Sequence, residues 1–183
     1  MRYRKFFYRK LPDWLGFHKR SAMGDRWTSA LGAFFAVLLV FMASGWAIGQ
    51  QNLVVVTSMG SSAVLLFSAP DSPLSQPWPL IGGHFIAATV GVGCTIVLGT
   101  DLLSAGMAVG IAVLFMQWTR SMHPPAGATA LAAVIGGDAV TSLGWMFVLK
   151  PVLLNTFLLL ASALIINWPR KNHKYPSRSG KNF

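Results

Sequence analysis

The chemistry that this sequence could perform centres on a histidine placed just before two prolines. His123 precedes Pro124 and Pro125, and small residues beginning with Ala126 and Gly127 follow. Proline disfavours the helical conformation in the residue before it, yet it suits the first turn of a helix. The spacing therefore predicts an extended segment that leads into a short helix. At such a place a histidine could bind an anion, pass a proton or simply cap the helix.

A second candidate helix start lies at Gly60, Ser61 and Ser62. Residues 54–57 before it are β-branched and therefore weak helix formers, whereas serine is a good N-cap. The pattern predicts a strand and then a short helix over about 63–69. Helix amino ends carry free N–H groups and a partial positive charge. If both candidate ends face one cavity, their backbone and hydroxyl donors would suit a monovalent anion.

Other ionisable residues in apolar surroundings could serve a site or the structure. An Arg, Lys or Asp at the bilayer centre costs about 2.5–3.5 kcal/mol on insertion scales, so each needs a reason to lie there. Arg120 could attract an anion, pair with Asp101 or Asp138, or snorkel to the interface. Lys150 is equally a pore charge or a snorkelling side chain. His84 follows two glycines and could bind substrate or be a buried structural histidine.

The motifs of the common enzyme classes are missing from the sequence. It has no G-x-S-x-G, no H-E-x-x-H and no phosphate-binding glycine loop. The one cysteine, Cys94, excludes a disulfide framework and a cysteine-based zinc site. His84, His123 and Asp138 are not spaced like metal ligands. We expect neither enzymatic activity nor a metal or cofactor.

The composition indicates which kind of structure must position these residues. Of 183 residues, 54% are apolar and only 11% are charged, against about 25% in soluble domains, and there is no glutamate. So few charges cannot cover the surface of a soluble domain of this size. The composition predicts an all-α polytopic membrane protein.

The charges divide the chain into three parts. Residues 1–26 carry eight Lys/Arg against two Asp, net +6, and residues 169–183 carry five Lys/Arg and no acid, net +5. The body, 27–168, has a net charge of −1. Basic flanks around an apolar body follow the positive-inside rule and argue against nucleic-acid binding. We expect both tails in the cytoplasm, against anionic lipid headgroups, with an even number of crossings between them.

Six apolar segments can be marked in the body. We expect four full spans and two short segments or half-helices, the second and the fifth; the six are Trp27–Gly49, Leu53–Ala69, Ile81–Gly99, Leu102–Trp118, Pro124–Gly137 and Trp145–Trp168. The long–short–long order occurs twice, which favours a 3+3 inverted repeat of the transporter type. The alternative is a plain bundle with glycine-rich contacts, which could also join protomers into a homo-oligomer.

Two extended motifs resemble the HPP family of integral membrane proteins. One is the stretch Met122–Leu131, and the other runs from Ser61 to His84 through Ser72-Pro73-Leu74-Ser75-Gln76-Pro77. With Trp27–Ala33, the resemblance covers roughly residues 25–168. It implies a membrane bundle of about four spanning helices, and some members of the family are nitrite transporters. Trp78 stands where the family has a basic residue, a departure that bears on substrate identity.

These observations predict a bacterial inner-membrane protein that transports a small monovalent anion, with nitrite as the first candidate. The predicted substrate-binding residues lie around the two helix starts and are Gly60, Ser61, Ser62, His84, Arg120, His123, Pro124, Pro125, Ala126 and Gly127. The alternatives are a proton-coupled carrier of another small solute and a membrane sensor or accessory subunit without transport.

Overall fold

In a computed structural model of the chain, residues 23–48, 53–168, 170 and 175–177 are described. Most of the predicted basic arm and tail therefore lies outside the described residues. The described part is helical and contains no strand. Its helices are α1 (Met23–Ile48), α2 (Leu53–Ser68), α3 (Pro77–Leu98), α4 (Leu102–Trp118), α5 (Ala126–Ile135), α6 (Asp138–Thr141) and α7 (Leu154–Asn167). A 3₁₀ turn, Pro73–Ser75, precedes α3, and a π-helical segment, Val148–Leu153, leads into α7.

Three helices among the described residues are long and apolar enough to cross a membrane. They are Asp25–Trp46, Pro77–Leu98 and Val148–Asn167, while Leu102–Trp118 and Ala126–Ile135 are shorter apolar helices. Many of their large apolar side chains are exposed, as lipid-facing side chains are. The all-helical membrane bundle is therefore confirmed, whereas a fourth full span and an inverted repeat stay predictions.

The predicted strand and helix start in the second segment are wrong. Helix α2 begins at Leu53 and continues without interruption through Gly60 to Ser68. In lipid every backbone N–H and C=O must be satisfied within the protein, and this requirement outweighs the weak helix propensity of β-branched residues. The fifth segment behaves as predicted, because α5 starts directly after Pro124-Pro125 and ends at Gly136.

Helix α3 lies at the centre of the bundle and packs against α4, α5 and the π-helical segment. Helix α2 runs antiparallel to α3, since Ser62 meets His84 near the start of α3 and Leu65 lies beside the turn before it. Helix α5 runs in the same direction as α3, since Thr129 meets His84 and Ala133 lies against Gly91. Both α2 and α5 thus bring a hydroxyl side chain to His84 of α3, Ser62 from α2 and Thr129 from α5.

The beginning of α1 and the end of α7 lie at the same end of the bundle. Arg170 Nη2 is 3.8 Å from the Asp25 carboxylate, and Arg170 Nη1 donates to Phe67 O (3.1 Å) and Asn167 Oδ1 (2.8 Å). The even number of crossings expected from the charges stays a prediction. The 3₁₀ turn lies at this end too, because Tyr175 Oη donates to Ser75 O at 3.0 Å.

Tyr175→Phe is expected to loosen the turn that precedes α3. Burial raises the pKa of Tyr175, so the phenol stays protonated and donates at neutral pH. Loss of this hydrogen bond should lower the free energy of unfolding by about 1 kcal/mol. The measurement is the thermal unfolding midpoint of the purified protein in detergent. An unchanged midpoint would show that the contact contributes nothing.

Candidate functional site

Two glycines bring the His-Pro-Pro segment against α3. A Cβ atom on Gly83 would lie 2.7 Å from His123 Cβ, and one on Gly82 would lie 2.9 Å from Ser121 Cβ. Only residues without a side chain allow the extended segment 121–123 to approach the helix this closely. His84, the next residue of α3, and His123 are therefore neighbours, with ring centroids 5.1 Å apart.

The hydroxyl of Ser62 lies between the two imidazole rings. Ser62 Oγ is 2.9 Å from His84 Nε2 and 3.0 Å from His123 Nε2, both hydrogen-bonding distances. The same hydroxyl also donates to Ser58 O one turn earlier in α2, at 3.0 Å. One side chain of α2 thus connects a histidine of α3 with the histidine that precedes α5.

The other nitrogen of each ring also has a partner. His84 Nδ1 is 2.8 Å from Thr129 Oγ1, and Thr129 Oγ1 donates to Ser58 Oγ at 3.1 Å. His123 Nδ1 donates to Leu74 O at 2.8 Å, because a carbonyl oxygen only accepts. The sequence analysis identified His84, His123 and Ser62 and missed Ser58, Thr129 and Leu74.

The hydrogen-bonded side chains form one cluster that is completely buried, here called the histidine cluster: Ser58, Ser62, His84, Thr129 and His123. His84 is the eighth residue of α3, about 10 Å along the helix at 1.5 Å per residue. Buried polar groups are costly unless they are hydrogen-bonded, and the bonds within this cluster offset that cost. Ionisable residues at such depth are usually functional.

All predicted site residues except Ser62 and the two histidines lie outside the histidine cluster. Ser61 is exposed and its hydroxyl donates to Thr57 O within α2. Gly60 and Gly127 have open space where a Cβ would stand, and Pro124 is exposed. Pro124 and Gly127 thus contribute no hydrogen-bonding side chain to the histidine cluster.

The predicted chamber between two helix amino ends is not present. The N–H groups of Ala126 and Gly127 donate to His123 O (2.9 Å) and Pro124 O (3.1 Å), so they are not free to bind an ion. The other amino end does not exist near Ser62, since α2 is continuous there. Direct contacts of 2.9–3.0 Å between Ser62 and the rings also leave no room for an ion between them.

Arg120 and Lys150 have different surroundings. Arg120 is exposed and has a left-handed backbone with φ 54°, unusual for a residue other than glycine. Pairing with Asp101 is not made, because that carboxylate caps the opposite end of the 17-residue α4 by accepting from Ser104 N. Lys150 Nζ lies 5.8 Å from the centre of the Trp46 ring, a cation–π contact at the other end of the bundle.

A cavity of about 730 Å³ adjoins the histidine cluster. It is lined by Pro73, Leu74, Pro79, Met116, Gln117, Arg120 and Met122. Leu74 connects the cavity with the cluster, since it lines the cavity and its carbonyl accepts from His123. Met122, also in the cavity wall, is the residue before that histidine. Arg120 provides the cavity's positive charge. Within the described residues, no three His, Cys, Asp or Glu side chains are grouped as metal ligands would be.

Comparison with known proteins agrees with the membrane architecture. The family described as HPP, transmembrane region, matches residues 18–176. A transmembrane protein of Dictyostelium discoideum is 33% identical over 158 residues, which are 84% of this chain and 54% of the relative. A second transmembrane protein of that organism is 32% identical over 180 residues, 93% of this chain and 57% of the relative. The chain thus spans little more than half the length of these relatives. No solved structure matches it significantly.

Proposed function

The chain belongs to the HPP family of transmembrane proteins, and from this premise we propose that it transports a small monovalent anion, with nitrite as the first candidate. The observation that carries the proposal is the cavity that Arg120 lines. Leu74, another residue of the cavity wall, accepts a hydrogen bond from His123. A positive charge at a largely apolar cavity attracts an anion, and the buried histidine cluster lies directly behind it. This arrangement supports transport rather than catalysis as the proposed role.

The backbone at Arg120 supports a role for its side chain. A non-glycine residue in a sparsely populated conformation costs of order 1–3 kcal/mol, and such residues cluster at functional sites. Glycine or asparagine would fit φ 54° with less strain. The presence of arginine there is explained if its guanidinium is needed at the cavity.

A proton-coupled carrier of another solute is the second candidate. The observation that favours it is the pair of buried imidazoles joined through Ser62, since an imidazole can both accept and donate a proton. Such a carrier would show flux driven by a pH gradient and no competition from nitrite. A sensor or accessory subunit would show no flux at all.

Liposomes containing the purified protein test the proposal directly. Nitrite uptake should be faster than in empty liposomes and should saturate with nitrite concentration. His123→Ala should reduce it to the leak rate, because the cluster then loses the ring that links Ser62 with Leu74. Uptake at the leak rate in both the unaltered protein and the variant would contradict the proposal.

Arg120→Gln is expected to raise the nitrite KM about fivefold, since one exposed charge contributes about 1 kcal/mol to attraction of an anion. Lys150→Gln is the matched control, because Lys150 lies at the opposite end of the bundle against Trp46. It should leave the KM unchanged. Equal effects of the two substitutions would indicate that only overall charge matters.

The proposal also includes the membrane in which the protein lies and the side on which its tails lie. We place the protein in a bacterial inner membrane with both basic tails in the cytoplasm, against anionic lipid headgroups. The cavity would then open near the cytoplasmic side, since the turn at Leu74 shares an end of the bundle with Arg170.

A further inference from the structure

We infer that the cavity lined by Arg120 binds a small organic monocarboxylate, an anion in which one carboxylate is attached to a short apolar body. The inference deepens the proposed transport and rests on it, because it names a class of monovalent anion that would share the cavity with nitrite. It depends on the volume of the cavity, on its apolar wall and on its two polar side chains.

The cavity is much larger than a nitrite ion. Its volume of about 730 Å³ lies within the range of about 300–1,000 Å³ that is usual for pockets of drug-sized organic ligands. A water molecule occupies about 30 Å³ in the liquid, so nitrite alone would leave most of the cavity filled with water. A ligand that fills the cavity must therefore be larger than nitrite.

Most of the cavity wall is apolar. The wall residues without a charged or hydrogen-bonding side chain are Pro73, Leu74, Pro79, Met116 and Met122. An inorganic ion would leave these side chains in contact with water, whereas the apolar body of an organic ligand would remove them from water, which is favourable. The wall thus favours an anion that carries hydrocarbon.

The two polar side chains of the wall are those of Gln117 and Arg120. They are three residues apart at the end of α4, and Arg120 N donates to Gln117 O at 3.2 Å. Both side chains are exposed, and within the described residues neither makes a hydrogen bond or a salt bridge. A planar guanidinium can bind both oxygens of a carboxylate, and an amide N–H can donate to one of them.

The charge of the wall indicates a monovalent ligand. Arg120 supplies one positive charge, and the described wall contains no Asp or Glu that would repel an anion. One guanidinium compensates the charge of one carboxylate. A phosphate group, with a charge of about −1.5 to −2 and three acceptor oxygens, would keep part of its charge uncompensated. A monocarboxylate therefore matches this wall better than a phosphate does.

Two exposed tryptophans lie beside the cavity. Trp78 directly precedes Pro79 of the wall, and Trp118 directly follows Gln117. Trp78 Nε1 donates to Thr119 O at 2.9 Å and so joins the start of α3 to the end of α4. Exposed tryptophan is typical of the interface between lipid and water. An anion with an apolar body concentrates at that depth and would reach the cavity from the membrane surface.

Methyl NMR of the protein in lipid nanodiscs measures binding without a transport assay. The methionine methyl groups are labelled with carbon-13, and two signals are assigned with Met116→Leu and Met122→Leu. Hexanoate should shift both signals until the cavity is saturated. Met107 is the matched control, because it lies on the same helix, α4, and is exposed outside the cavity wall. An equal shift of Met107 would show that hexanoate enters only the bilayer and would overturn the proposal.

Both parts of the ligand should contribute to its affinity. Hexanoate should bind about 15-fold more tightly than butyrate, since each buried CH₂ group contributes about fourfold. Hexanamide has the same apolar body without the charge and should bind about fivefold more weakly than hexanoate. Arg120→Gln should remove this difference, whereas Lys150→Gln, at the opposite end of the bundle, should preserve it. Equal binding of hexanoate and hexanamide to the unaltered protein, or of hexanoate and butyrate, would contradict the inference.

Gln117→Glu places a negative charge beside the guanidinium and should prevent hexanoate from shifting the two methyl signals at concentrations that saturate the unaltered protein. Gln117→Met removes one hydrogen bond without adding a charge and should lower the affinity about fivefold. Because Gln117 is exposed, both variants should unfold at the temperature of the unaltered protein. Unchanged binding of hexanoate to the Gln117→Glu variant would overturn the proposal.

An anionic phospholipid also combines charge with hydrocarbon, and the same spectra identify it. If such a lipid occupies the cavity, replacing phosphatidylcholine by phosphatidylglycerol in the nanodiscs should shift the signals of Met116 and Met122, and hexanoate should cause no further change. That result would overturn the proposal. A carboxylate site instead requires the hexanoate shifts in both lipids, with about the same affinity.

Failure of this inference is distinguishable from failure of the proposed transport. In liposomes, hexanoate should raise the KM of nitrite uptake without changing its maximal rate, since both anions need Arg120. Saturable nitrite uptake that hexanoate does not affect, together with unshifted methyl signals, contradicts this inference alone. Shifted methyl signals without any nitrite uptake support the inference and contradict nitrite as the solute.

Discussion

Ser62→Ala is expected to reduce nitrite uptake to the leak rate and to lower the free energy of unfolding by about 2–6 kcal/mol. The substitution removes the hydroxyl that bonds both Nε2 atoms. Each buried nitrogen left without a partner costs about 1–3 kcal/mol, and no other hydroxyl bonds either of them. Removing a single oxygen atom thus takes away the hydroxyl that joins the two histidines.

Ser61→Ala is a closely matched control, because it makes the same chemical change one residue earlier. Ser61 is exposed, and its hydroxyl bonds only the backbone of its own helix. Its substitution should change the free energy of unfolding by no more than about 0.5 kcal/mol and leave uptake intact. Thermal unfolding in detergent and liposome uptake measure the two effects. Similar results for both serines would contradict the importance of the histidine cluster.

The contrast between these serines shows what the sequence could predict about the site. Both were selected as donors at a helix start that does not exist. Once α2 is continuous, Ser58 and Ser62 lie four residues apart on one face of the helix. Helical spacing could therefore have identified Ser58, had residues 54–57 not been interpreted as a strand. It could not have excluded Ser61, three residues after Ser58, which only its exposure in the structure separates from the cluster.

The His-Pro-Pro segment was predictable because proline acts on the backbone locally. Pro124 and Pro125 restrict the residues before them whatever the surroundings, and the helix begins where this restriction ends. The error in α2 has the opposite origin. There, the low helix propensity of the β-branched residues costs only a few tenths of a kcal/mol each. The cost of leaving backbone N–H and C=O groups unsatisfied in lipid is larger, so the helix forms.

Other parts of the site left no signal in the sequence. The partner of His123 Nδ1 is the carbonyl of Leu74, and any residue has such a carbonyl. Its position depends on a turn in which Ser75 O accepts from Tyr175 Oη, a donor far away in sequence, and Pro70 O accepts from Gln76 Nε2. Thr129 is one of several small residues of α5, and only the packing of that helix on α3 singles it out.

Close packing of the His-Pro-Pro segment on α3 leads to the second large expected effect. Gly83→Ala should lower the free energy of unfolding by about 1–3 kcal/mol, the usual cost of overpacking, and reduce uptake at least as strongly as His123→Ala. The added Cβ would lie 2.7 Å from His123 Cβ and 3.0 Å from Ser121 O. Neither atom is the flexible end of a side chain, so the segment must move away from the helix.

Such a movement would separate His123 from both Ser62 and Leu74, whose bonds of 3.0 and 2.8 Å tolerate little displacement. Gly93→Ala is the control on the same helix, because a Cβ there would meet nothing within 4 Å. Since alanine is favoured over glycine in a helix by about 0.8–1.0 kcal/mol, this variant should be at least as stable as the unaltered protein. If the two alanines have the same effect on unfolding and uptake, the glycine contact does not position the histidine.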